Sequence, residues 1–204
     1  MKSDTLFPET LSFEKHLENL RACKNCTLTL PLGANPIVQL SPTAKILIIG
    51  QAPGTKAHYS NRPFNDPSGD RLREWLNISR DQFYNEKDFA IMPMGFCYPG
   101  RNPKGGDLPP VPCCAPLWHA RTLTYLSQLQ LILLVGQYSQ KYYLGKLRKK
   151  NLTETVRAWP EYLPTYFPLP HPSWRNIEWC KSHPWFEAKV LPDLRARVHA
   201  ILQL

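Results

Sequence analysis

Two short apolar runs, each closed by a glycine, constrain this chain more than any other feature. Ala44–Gly50 reads A-K-I-L-I-I-G, and Leu131–Val135 reads L-I-L-L-V before Gly136. Unbroken runs of branched aliphatic residues, with no polar alternation, suit strands buried on both faces. Such strands belong to parallel sheets covered by helices on either side. The surrounding segments supply the helices. Leu11–Ala22 sets Leu11, Phe13, Leu17 and Leu20 at helical spacing, and Asp70–Leu76 places Leu72, Trp75 and Leu76 on one face. Leu117–Leu129, Ser139–Leu147 and Pro184–Leu204 also read as helices, and Asn151–Trp159 opens on an N-x-x-E capping pattern. Phe89–Phe96 and Thr165–Leu169 complete the set of strand candidates. The expectation is an α/β domain over residues 1–204 whose ligand site lies beyond the carboxyl ends of the strands. The places to inspect are therefore the segments after Ile49, Met94, Val135 and Leu169.

No stretch approaches the roughly 18 to 20 apolar residues of a membrane span. Met1–Pro8 lacks the basic-then-apolar pattern of a secretory leader. The expected setting is a reducing cytoplasm, without a membrane partner. There six cysteines are ligands or spare thiols rather than disulfides. With 25 Lys and Arg against 16 Asp and Glu, the net charge is +9, which suits a polyanionic partner such as DNA. A solvated basic surface explains the charge equally well. The same two readings apply to the run Lys146–Lys150. Prolines cluster in Asn102–Pro116 and Pro160–Pro172 as ordered loops, and no internal repeat is present.

The chemistry-bearing segments fall at the predicted strand ends. Gly50-Gln51-Ala52-Pro53-Gly54 follows the first run, where glycines permit close backbone approach and proline stiffens the turn. Pro63-Phe64-Asn65-Asp66-Pro67-Ser68-Gly69-Asp70 places an aromatic and a carboxylate just before a helix. Phe64 can stack on an extruded base, and Asp66 can orient water or offset positive charge on a sugar. The plainer reading is a helix cap by Asp66 or Ser68. His171-Pro172-Ser173 closes the last strand; a histidine there can donate to a leaving base, although most strand-end histidines are structural. Trp174 and Arg175 follow, either as a wedge for the gap left by a flipped base or as a Trp packed on the last helix.

Cys23-x2-Cys26 follows the first helix, and Cys97 and Cys113 frame a Pro/Gly-rich loop. Four thiolates can hold either zinc or a [4Fe–4S] cluster. Cys114 adjoins Cys113 and can replace it as fourth ligand, and Cys180 reads as spare.

Taken in order, these segments resemble the uracil-DNA glycosylase superfamily, closest to the iron–sulfur branches called families four and five. The resemblance spans about residues 23–198 and rests on Gly50–Gly54, Phe64–Gly69, His171–Ser173 and the cysteine spacing. It implies a three-layer α/β/α fold with a central four-stranded, mainly parallel sheet and hydrolysis of the N-glycosidic bond of uracil or a related deaminated base. It also implies a [4Fe–4S] cluster on Cys23, Cys26, Cys97 and one of Cys113 and Cys114, with zinc as alternative. Carried residue by residue, Gly50, Gln51 and the Ala52–Gly54 backbone contact the base and position water, with Phe64 stacking above. The same correspondence has His171 stabilising the departing base and Pro172–Ser173 pressing on phosphates. Asp66, in Asp-x-Ser-Gly, matches the general base proposed for family five. Two departures stand out: Ala52 replaces the aspartate of the efficient uracil enzymes, and Ile91–Phe96 lacks the asparagine that reads uracil. The rivals are a glycosylase for hypoxanthine or xanthine, a catalytically silent DNA-binding relative, and a zinc protein of unrelated nucleotide chemistry. A monomer is expected.

Overall fold

The computed structural model describes residues 11–204; the leader reading of Met1–Pro8 lies outside them. Strands β1 (Ile46–Ile49), β2 (Phe89–Ile91), β3 (Leu131–Val135) and β4 (Tyr166–Leu169) form one sheet in the order β2-β1-β3-β4. Every pairing is parallel, with Ile46 opposite both Phe89 and Leu131, and Val135 opposite Leu169. The apolar runs therefore become what their composition demands. Because side chains alternate along a strand, Ile46, Ile48, Leu131 and Leu133 pack on one face, and Leu47, Ile49, Ile132 and Leu134 on the other.

Helices cover both faces. In chain order they are α1 (Phe13–Arg21), α2 (Thr55–Ser60), α3 (Pro67–Leu76), α4 (Arg80–Phe83) and α5 (Ala120–Tyr125). They continue with α6 (Gln137–Leu144), α7 (Leu152–Arg157), α8 (Ile177–Ser182) and α9 (Leu191–Leu202). Leu72, Trp75 and Leu76 of α3 join Leu194 and Val198 of α9 over the first face. Leu20 of α1 and Leu144 of α6 cover the second. The layers are helix, sheet, helix, as expected. Among the described residues no helix is long and apolar enough to cross a membrane.

Both sheet edges are protected. Pro168, which has no N–H to donate, is confined to edge strand β4. On the other side Gln39 forms an antiparallel bridge with Ile91, and its side-chain amide donates to the Phe89 carbonyl at 2.8 Å. The expected strand Phe89–Phe96 stops at Ile91. Pro93 interrupts the ladder, and the chain turns so that Met94 and Gly95 donate to the carbonyls of Gly50 and Gln51. The expected helix Leu117–Leu129 is instead a π-type turn over Ala115–His119 followed by α5. Pro184–Leu204 likewise holds a π-type turn over Phe186–Val190, and α9 restarts with Pro192 in its first turn. Helices α2, α4 and α8 are too short for sequence periodicity to reveal.

From β1 the chain runs to one side of the sheet, and from β3 to the other. The crevice beyond the carboxyl ends of these neighbours is the topological switch point of the fold.

Candidate active site

A cavity of about 960 Å³ opens at that crevice, and all four strand ends reach it. Gln51–Gly54 enter after β1, Pro93 after β2, Gly136–Tyr138 after β3, and His171 with Ser173–Asn176 after β4. Gly50 lies behind this wall, and Pro172 is buried beside it.

Phe64 is held above the first loop by an unusual backbone. Its φ is +53°, a left-handed conformation that a bulky residue adopts only when its surroundings impose it. The ring end presses on Gly50, where an added Cβ would stand 2.9 Å from Cζ. Its other edge meets Phe83 at 6.2 Å between centroids. The carbonyl of Phe64 turns onto Gly69 so closely that a Cβ there would lie 1.8 Å from the oxygen. Neighbours anchor the segment: Tyr84 donates to the Pro63 carbonyl at 3.0 Å and Arg80 to Asn65 at 2.6 Å.

Asp66 is the N-cap of α3, with Oδ1 accepting from the Gly69 N–H at 2.9 Å and Pro67 opening the helix. The cap is real, yet it uses one oxygen. The other, Oδ2, lies 3.8 Å from where a Cβ on Gly54 would stand. Ser68, in the first turn of α3, also lines the cavity. On the far wall, burial lowers the pKa of His171, with Asp66 opposing the shift. The ring is therefore neutral at neutral pH and carries one N–H to donate. Asn176 donates to the His171 carbonyl at 2.6 Å and Arg71 to the Ser173 carbonyl at 3.1 Å, which fixes the turn.

The structure adds detail at two of these positions. Gln51, expected to face the base, spends its amide N–H on the Leu108 carbonyl at 3.1 Å. Trp174 is not packed on the last helix: it is 73% exposed at the cavity rim, with the Arg175 guanidinium 5.4 Å from its ring. Arg175 itself lies over the Gly105–Gly106 turn, where added Cβ atoms would meet its guanidinium at 2.5 and 3.0 Å. The basic run 146–150 follows α6 through a short turn, with Lys149 paired to Glu161.

One site residue escaped the sequence reading. Asp107 lines the cavity, its Oδ2 3.5 Å from the position of a Cβ on Gly54. Asp107 is exposed at the cavity, yet partial desolvation of its carboxyl pushes its pKa up and Asp66 pushes it further, while Arg101 and Arg175 oppose. The available signal was its place as the sole acidic residue between Cys97 and Cys113.

Behind the cavity, Cys23, Cys26, Cys97, Cys113 and Cys114 line one narrow pocket with apolar walls from Leu30, Phe96 and Val111. Cys26 and Cys113 bring their sulfurs to 3.1 Å. That contact, followed by burial, pushes the Cys26 thiol up to about 11, and burial pushes Cys114 to about 12. Cys113 is exposed, whereas Cys114 is buried against the second core face. Trp118 lines the same pocket, and its buried indole N–H has no acceptor among the described residues. Among the described residues no three His, Cys, Asp or Glu side chains are disposed to hold one metal ion. Cys180 packs instead beside the first core face.

Two comparisons bear on this architecture. The sequence model of the uracil DNA glycosylase superfamily matches residues 37–195. The Type-4 uracil-DNA glycosylase of Sulfurisphaera tokodaii is 26% identical over 174 residues, covering 79% of this chain and 74% of that protein.

Proposed function

Because that family model spans most of its length, the chain belongs to the uracil-DNA glycosylase superfamily, and from this premise we propose that it hydrolyses the N-glycosidic bond of uracil or a related deaminated base flipped out of DNA. The reading rests above all on one observation. An aromatic ring and a carboxylate from the segment after the first strand, and a neutral histidine from the end of the last, line one cavity at the switch point of the sheet. A flipped base enters that cavity and stacks on Phe64. As the bond breaks, negative charge gathers on the base and positive charge on the sugar. His171 donates its N–H to a base oxygen, and the free oxygen of Asp66 faces the sugar. The Ala52–Gly54 backbone borders the base, while Gln51 braces the loop that closes the site. Ser173 presses on phosphates beside the lesion from a turn that buried Pro172 stiffens, Trp174 fills the gap in the stack, and the positive charge attracts the duplex.

The absence of an asparagine from Ile91–Phe96 favours hypoxanthine or xanthine as second candidates, since a missing amide removes about 1 to 3 kcal/mol of base discrimination. A panel of duplexes, each carrying one damaged base, separates the readings. Release of uracil is the expected result. Release of another base alone redirects the specificity, and binding without release identifies a silent relative.

The pocket thiols hold a [4Fe–4S] cluster through Cys23, Cys26, Cys97 and one of Cys113 and Cys114. The donors are all sulfur, which selects zinc or iron–sulfur centres. The resemblance to the cluster-bearing branches favours iron–sulfur, and sulfur acceptors would satisfy the orphan Trp118 N–H. Its role is structural, away from the cavity. A cytoplasmic monomer, with residues 1–204 folding as one domain, fits a DNA substrate and thiols kept reduced.

A further inference from the structure

We propose that Asp107 holds the attacking water and accepts its proton, supplying from a distant loop the carboxylate that Ala52 does not provide. The proposal deepens the glycosylase reading and rests on it. Three observations carry it.

The first is position. The Oδ2 atoms of Asp107 and Asp66 both approach a single point beside Gly54, at 3.5 and 3.8 Å from it. Two carboxylates thus flank the backbone segment that borders the base. The second is availability. Asp66 commits one oxygen to the cap of α3, whereas the Asp107 carboxyl, exposed to the cavity, has no hydrogen-bond partner among the described residues. The third is rigidity. Asp107 forms an antiparallel bridge with Arg101, and the Asn102 N–H donates to the Gly106 carbonyl at 2.8 Å. The next residue, Leu108, is tied twice: its N–H to the Gly100 carbonyl at 2.8 Å and its carbonyl to Gln51 at 3.1 Å. Thus the amide of the strand-end motif serves to aim the loop carboxylate.

The electrostatics suit a base. Asp66, Arg101, Arg175 and Tyr98 are the charged and titratable groups around Asp107. Their balance with burial raises its pKa, which strengthens it as a proton acceptor near neutral pH. In the reaction a water lone pair forms the new bond to the sugar C1′ as the C1′–N bond breaks. The electron pair of that bond leaves on the base nitrogen. The water proton passes to Asp107 and then to solvent. The departing base, held by the His171 N–H, takes up a proton from solvent.

The test is single-turnover cleavage of the preferred duplex by wild type, Asp107→Asn, Asp66→Asn and the double variant, with DNA affinity measured in parallel. Asp107→Asn should bind DNA as wild type does and cleave about 10²- to 10⁴-fold more slowly. The wild-type rate should fall as acid protonates Asp107, and that acid limb should vanish in Asp107→Asn. If Asp107→Asn misfolds, Asp107→Ser with added formate provides the second measure, and formate should restore part of the rate. A wild-type rate in Asp107→Asn, or no formate rescue of a folded Asp107→Ser, overturns the proposal while the glycosylase reading stands. A wild type inert on every duplex removes both.

Discussion

At the scale of single residues, His171 shows how placement sets chemistry. Its pKa is lowered by burial, and Asp66 pulls it partly back. Raising the pH above neutrality therefore removes no proton that the reaction uses, because the donating N–H belongs to the neutral ring. Between pH 7 and 8.5 the single-turnover rate should stay level, and an imidazolium requirement would show as a decline. Removing one preorganised donor typically costs about 10²- to 10³-fold in rate. His171→Ala should lose that much while its affinity for undamaged duplex stays at the wild-type value. An equal loss of affinity would mean that His171 serves only to shape the Pro172–Ser173 turn. The two acid–base groups thus differ in sign: Asp107 must lose its proton to act, and His171 must keep the one it has.

At the scale of elements, the entry to α3 decides where Phe64 points. The Phe64 carbonyl and Gly69 are in such close approach that no side chain fits between them. Gly69→Ala should destabilise the protein by about 1 to 3 kcal/mol, the usual cost of overpacking, and should abolish cleavage at temperatures where the fold persists. Thermal melting with a cleavage assay checks this, and unimpaired cleavage would show that Phe64 can stack from another backbone setting. The strands were legible because β1 and β3 are unbroken aliphatic runs whose composition leaves them no exposed face. The cap of α3 was legible too, since Asp66-Pro67 is a local signal. Asp107 was not, because its position depends on the Gln51–Leu108 hydrogen bond and on the nearness of Gly54 and Arg175, all far away in sequence. Nor was the early end of β2, where Pro93 acts only through the partner strand it can no longer join. The loop after β4 lines the cavity, but only exposure separates a rim Trp174 from a packed one.

At the scale of the molecule, the two pockets share one stretch of chain. Cys97 and Cys113 stand at the ends of the loop that carries Arg101, Asp107 and Leu108, and both line the thiol pocket. The next turn brings His119 to Pro93 of the cavity wall, where Nε2 donates to the Pro93 carbonyl at 3.1 Å and Tyr143 donates to Nδ1 at 2.7 Å. Burial lowers the His119 pKa to about 4, so this neutral tautomer persists at working pH. A centre bound by the thiols would therefore brace the active site from behind. Purified protein should contain iron and sulfide. Cys23→Ser should lose the iron and melt at lower temperature, and zinc without iron in anaerobic preparations would overturn the assignment. A centre held by Cys97 and Cys113 would make the intervening segment a ring rather than a strap. A ring has few shapes to give up, so the carboxylate it carries is in place before any duplex arrives. Damage can then be met at the pace of encounter, with no search by the loop for its working shape.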